Sequence, residues 1–150
     1  MRKAPFAFAA LFGDNDASHN HNDIGSFLLV DGDDEGPMDL GCGEYTCQYF
    51  SAERYAILCN GSQGHSVPIV GGHLQRDGGR FRSRDVVFEE RDGRVFFSGD
   101  IAGAYGLDAL VSLRRSFEVV VRSSPRKVGA GLSGYRTAAA PPVSGFRDGQ

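Results

Sequence analysis

Asp85-Val86-Val87-Phe88-Glu89-Glu90, then Arg91-Asp92-Gly93, then Arg94-Val95-Phe96-Phe97-Ser98-Gly99 is the stretch that decides the fold class. Two apolar runs flank an Asp-Gly pair, whose residues tolerate the backbone angles of a tight hairpin turn. The runs are therefore expected to lie side by side and antiparallel. Downstream, Leu107 to Val121 holds one or two further strands in preference to a helix. Upstream, Phe6-Ala7-Phe8-Ala9-Ala10-Leu11-Phe12 and Gly25-Ser26-Phe27-Leu28-Leu29-Val30-Asp31 read as buried strands. Met38-Asp39-Leu40-Gly41-Cys42-Gly43 and Ala56-Ile57-Leu58-Cys59 read as two more. No segment carries a 3.6-residue apolar stripe, and no internal repeat is visible. Glycine, at 21 of 150 residues, is about twice its usual share, which favours turns and short strands. The expectation is one all-β domain over residues 1–121, with antiparallel sheets packed face to face as a β-sandwich or jelly roll.

Residues 122–150 differ in kind. They carry Arg122, Arg126, Lys127, Arg136 and Arg147 against a single acid, Asp148, among many Ser, Gly, Ala and Pro. Such a composition cannot build a core, so a disordered tail is expected. The whole chain has a net charge of −3, which excludes a general pull toward nucleic acid or anionic membrane. No stretch approaches the ~20 apolar residues that span a bilayer. The opening Met1-Arg2-Lys3-Ala4-Pro5 and its apolar run imitate a signal peptide. Gly13-Asp14-Asn15-Asp16 follows at once without a clean cleavage site, so a short strand is the reading adopted. Cys42, Cys47 and Cys59 are an odd number without Cys-x-x-Cys spacing, and small core residues are expected at all three.

The chemistry concentrates in Ser18-His19-Asn20-His21-Asn22-Asp23. If this segment is extended, period-2 alternation puts His19, His21 and Asp23 on one face. Two imidazoles and a carboxylate on one face would make a metal or acid–base site, while a polar strand end that merely contains histidines is the plain alternative. Asp31-Gly32-Asp33-Asp34-Glu35-Gly36-Pro37 is a solvated turn without the spacing of an EF-hand loop. Asp39 stands among apolar residues, where an acid is costly unless paired or bound to metal. His73, beside two glycines, reads as an exposed loop residue, and Tyr45 and Tyr49 as packing residues. Arg54 suits either a ligand carboxylate or a surface ion pair.

His19-Asn20-His21-Asn22-Asp23-Ile24-Gly25-Ser26-Phe27 resembles the signature of the heparinase II/III-like polysaccharide lyases. Three later segments resemble further blocks of that family in the right order: Asp39-Leu40-Gly41-Cys42-Gly43-Glu44-Tyr45-Thr46, Phe50-Ser51-Ala52-Glu53-Arg54-Tyr55 and Gly64-His65-Ser66-Val67-Pro68. The resemblance implies β-elimination on uronic-acid polysaccharides of the heparin, heparan sulfate or alginate kind. It implies a structural zinc ion on His21, Asp39 and His65, and it places His19 and Tyr55 at the substrate cleft. It implies a bacterial periplasmic or cell-envelope setting. Family enzymes carry an N-terminal α/α toroid that supplies the asparagine neutralising the uronate and further proton-transfer groups. Here the signature lies just behind Met1, so the expectation is a β domain inactive alone, whose toroid would come from another chain. Two other readings stay open. Gly13 and His19-x-His21 open a cupin metal motif, although Gly25 and Ser26 stand where its glutamate belongs. A non-catalytic, metal-clamped carbohydrate-binding β module is the other.

Overall fold

The expected hairpin is present, with both turn residues at positive φ, Asp92 at 52° and Gly93 at 71°. That is the turn whose twist matches two right-twisted strands. The computed structural model describes residues 7–31, 34–35 and 39–120. The anticipated basic tail and the domain boundary at 121 lie outside them. Among the described residues there are eight strands: β1 (Ala7–Ala10), β2 (Asp14–Asn15), β3 (Phe27–Asp31), β4 (Asp34–Glu35), β5 (Gly78–Arg82), β6 (Arg84–Arg91), β7 (Arg94–Asp100) and β8 (Arg114–Val120). The only helices among these residues are three short 3-10 turns, Ala52–Ala56, Ser62–Gly64 and Ala102–Ala104. The chain is all-β.

All strand pairs are antiparallel, in sheets ordered β1-β3-β4, β2-β5 and β6-β7-β8. The first and last sheets meet face to face through phenylalanines. Phe117 of β8 lies 5.4 Å from Phe8 and 5.5 Å from Phe27, ring centre to ring centre, and Phe12 meets Phe97 edge-on at 4.7 Å. Full burial of such a ring, which Phe27 and Phe117 approach, stabilises by about 1.5–3 kcal/mol, and the half-buried Phe8, Phe12 and Phe97 contribute less. Gly99 of β7 permits the approach, because a Cβ there would stand 2.7 Å from the Phe12 ring.

A second cluster of Ile24, Ile101, Ala102, Ala104, Tyr105 and Leu113 is buried beside this seam, with Phe12, Val70, Leu107 and Leu110 packed on it. Asp100 organises its loop. Its Oδ1 accepts the N–H groups of Ala102 (2.9 Å) and Leu113 (3.0 Å), and its Oδ2 pairs with Arg84 (3.2 Å). Burial by itself would raise the carboxyl pKa; donors from Leu113, Ala102, Ser112 and Arg84 outweigh it and hold the group below its ordinary value.

Several local expectations are corrected. Residues 39–46 form no strand, and Ala56-Ile57-Leu58-Cys59 falls in a 3-10 end and a turn. Leu107 to Val120, by contrast, supplies a strand as expected, β8, preceded by turns. Cys42 and Cys47 are exposed and Cys59 is half-buried, so the cysteines are not the core residues expected. Short runs cannot hold a ladder without a partner strand, and none is offered to residues 39–46 or 56–59 among the described residues.

Candidate metal centre

The His-x-His segment is a loop. Asn20 N–H closes a turn onto Ala17 O (3.1 Å), and His19 sits at φ 59°, a left-handed conformation that breaks any extended run. The predicted common face of His19, His21 and Asp23 therefore does not form. His19 is exposed, its ring 6.1 Å from Phe50 and 6.3 Å from Tyr45. The segment is instead pinned from outside: Asn22 N–H donates to Asn60 O (2.9 Å) and Gly25 N–H to Leu11 O (2.7 Å).

His21 meets two residues far along the chain. Asp39 lies 18 positions on and His65 a further 26, yet one donor atom from each of the three lies within 4.8 Å of the others. His65 follows the 3-10 turn Ser62–Gly64, and its side chain is fully buried. Its Nδ1 donates to Asp39 Oδ2 at 2.7 Å, and the other carboxylate oxygen, Oδ1, accepts from Gly41 N–H (2.9 Å). The His65 Nε2 atom is buried without a partner. Either ring nitrogen can thus serve a cation: Nδ1 by exchanging its proton, or Nε2, which lacks any other role. The His21 ring centre lies 5.1 Å from that of His65, and its Nε2 lies 3.4 Å from the Tyr49 hydroxyl.

The electrostatics suit a metal. Burial, and then the neighbouring His65, lower the pKa of His21 against the pull of Asp39, so its lone pair is free at neutral pH. Burial raises Asp23 to about 6; His65 opposes that rise and Asp39 adds to it. Two imidazoles and a carboxylate, with a second acid at their side, form a group able to hold a metal ion. Of the five site residues expected, the structure brings His21, Asp39 and His65 together and leaves His19 and Tyr55 outside the cluster.

Tyr55 is nonetheless tied to the loop. Its hydroxyl donates to Asn20 Oδ1 (2.9 Å), and Arg54 Nη2 donates to Asn20 O (2.5 Å) while stacking over Tyr49 and Tyr55. Burial, against the charge of Arg54, raises the Tyr55 pKa, and the phenol stays protonated. Arg54 makes no ion pair among the described residues. Tyr49 is buried as a packing residue, Tyr45 is 61% exposed, and His73 is exposed as expected.

Sequence reasoning missed the residues that hold the site in place. Gln75, almost fully buried, donates from Nε2 to Ile24 O (2.7 Å) and accepts Ile24 N–H at Oε1 (3.0 Å). Its own N–H donates to Ser62 Oγ (2.9 Å), linking the His21 loop to the turn that carries His65. Arg115, also buried, reaches from β8 to Gly25 O and to Ser66 O. Neither residue carries a local signal, since Ile24 lies 51 positions from Gln75, and Gly25 and Ser66 lie 90 and 49 positions from Arg115.

No protein-family model matches this chain, and no curated protein matches it.

Proposed function

We propose that this chain is the β domain of a heparinase II/III-like polysaccharide lyase, with zinc on His21, Asp39 and His65 and with His19 and Tyr55 at the cleft for a uronic-acid glycan. The observation that carries the reading is the convergence of the three donor residues. Each comes from a different block of the resemblance, and each lies in a segment with no sheet ladder to fix it. Zinc suits the set because it accepts imidazole nitrogen and carboxylate oxygen with little geometric demand. Its role would be structural, clamping three loops that hydrogen bonding alone holds. The buried Nε2 of His65 is the atom whose lack of a partner fits the ion best.

The surroundings of the clamp are consistent with sugar binding. His19, Tyr45 and Phe50 are exposed together beside Tyr49, an aromatic platform of the kind that covers the apolar faces of sugar rings. Tyr55, protonated at neutral pH, is a proton donor for a leaving glycosidic oxygen, and Arg54 beside it is a fixed positive charge. A cupin would place both His19 and His21 on the ion, and His19 lies outside the cluster.

The test has two stages. Chain purified without chelator is expected to retain about one zinc and to gain thermal stability on zinc addition. His21→Ala and His65→Ala should lose both properties, while His73→Ala keeps them. Mixed with a separately expressed toroid of the family, the chain should then release unsaturated uronate product, read by ultraviolet absorbance, and Tyr55→Phe should abolish it. Absence of zinc binding in the first stage overturns the metal assignment; absence of product in the second overturns the lyase reading.

A further inference from the structure

Away from the zinc cluster, a cleft of about 370 Å³ opens between β5 and the 3-10 turn Ala102–Ala104. Arg76, Arg80 and Arg84 line it together with Asp108, over a floor that includes Ala102, Leu107 and Leu110. Its walls are fixed. Arg76 N–H donates to Ala104 O (2.9 Å), and the guanidinium groups of Arg76 and Arg80 lie 5.1 and 4.7 Å from the centre of the buried Phe81 ring. Arg84 is held by Asp100 (3.2 Å) and by Val111 O. Gly106, at φ 60°, lets the turn close on Phe81, because a Cβ there would stand 2.5 Å from the ring. Among the described residues no carboxylate lies within ion-pair distance of Arg76 or Arg80. Two guanidinium groups are therefore oriented by packing and left with their charge unanswered.

We propose that this cleft binds one acidic sugar unit, its carboxylate or sulfate taken by Arg76 and Arg80, with Asp108 accepting a hydroxyl hydrogen bond and Leu107 and Leu110 meeting the ring face. A planar guanidinium grips either oxyanion through two parallel hydrogen bonds. Asp108, exposed at the rim, favours a sugar over a bare anion, because a sugar brings hydroxyl donors that offset the repulsion between its own anionic group and this carboxylate. The choice of a sugar rests on the proposed reading of the chain, and the cleft would extend its hold on an acidic glycan beyond the histidine loop.

The experiment is calorimetric titration of the full chain, zinc-loaded, with a sulfated uronate disaccharide, sodium glucuronate and sodium sulfate as separate probes. The disaccharide should bind, and Arg76→Gln with Arg80→Gln, which keeps the stems over Phe81, should weaken it about tenfold or more. Arg91→Gln removes a like charge on the distant hairpin turn and should change affinity less than twofold. Asp108→Asn should weaken the disaccharide and strengthen sulfate. Zinc content should be unaltered in every variant, so that loss of this cleft reads separately from loss of the metal site. Three results would each overturn the assignment: no disaccharide binding, equal losses in the Arg76/Arg80 and Arg91 variants, or sulfate bound as tightly as the sugar.

Discussion

Gln75→Ala is the perturbation that most directly tests how the His21 loop is held. The side chain satisfies both backbone groups of Ile24, a residue only 1% exposed, through bonds of 3.0 and 2.7 Å. Removing it leaves one N–H and one C=O without partners in a place water reaches poorly. Each such orphan costs about 1–3 kcal/mol, and water entering the small void recovers a part, so the expected loss is about 4 kcal/mol. For a chain of this size that corresponds to a fall in Tm of ~15 °C. Gln75→Met separates volume from hydrogen bonding, because it fills the space and makes neither bond. It should lose nearly as much as the alanine variant. Both should also show a smaller zinc-induced thermal shift, since Asn22 and Ile24 position His21 and Gln75 N–H positions the turn before His65. The measurements are urea unfolding for the free-energy loss and thermal unfolding with and without zinc for the shift. A methionine variant within about 1 kcal/mol of the parent chain would refute the hydrogen-bond account.

Asp100→Ala should lose about 3 kcal/mol by orphaning the N–H groups of Ala102 and Leu113, while Asp100→Asn, which keeps an acceptor, should lose about 1, both read by denaturant unfolding. The Asp100 pKa is lowered on folding, so its contribution is complete above about pH 4 and is lost as pH falls through the folded value. The stability gap between parent and Asp100→Asn should accordingly close in acid and stay constant from pH 6 to 8; a gap that widens in acid would reverse the sign. Gly106→Ala combines a left-handed φ of 60° with a Cβ 2.5 Å from Phe81, and about 2–4 kcal/mol of destabilisation is expected in thermal unfolding. Finally, the 150-residue chain on its own should release no measurable unsaturated product from heparin, heparan sulfate or alginate. On the lyase reading proposed above, only His19 and Tyr55 of the groups that β-elimination needs would lie on this chain, and losing members of a set that acts together removes several orders of magnitude in rate. Product formed by the chain alone and abolished by His19→Ala would show that the machinery is complete within it.

What the sequence determined by itself was local. The Asp92-Gly93 turn and its flanking runs specify β6 and β7, because turn chemistry and strand propensity act between neighbours. The apolar runs at Ala7–Ala10 and Phe27–Asp31 specify β1 and β3 for the same reason. Alternation failed at His19-Asn20-His21, where it placed both histidines on one face. A period of two describes a strand only when a partner strand holds it, and here the chain is held by Asn60, Gln75 and Arg115. Motif order named His21, Asp39 and His65 as candidates. Only the tertiary structure decided that their donor atoms meet, and that His19 stands apart from them. That decision rests on hydrogen bonds spanning about 50 to 90 positions, between Gln75 and Ile24 and between Arg115 and Gly25, whose energies depend on burial that no local window contains. The arginine cleft follows the same rule: Arg76 and Arg80 are ordinary charges in a polar stretch until the Phe81 ring lies beneath them, and Arg84 until Asp100 and Val111 hold it.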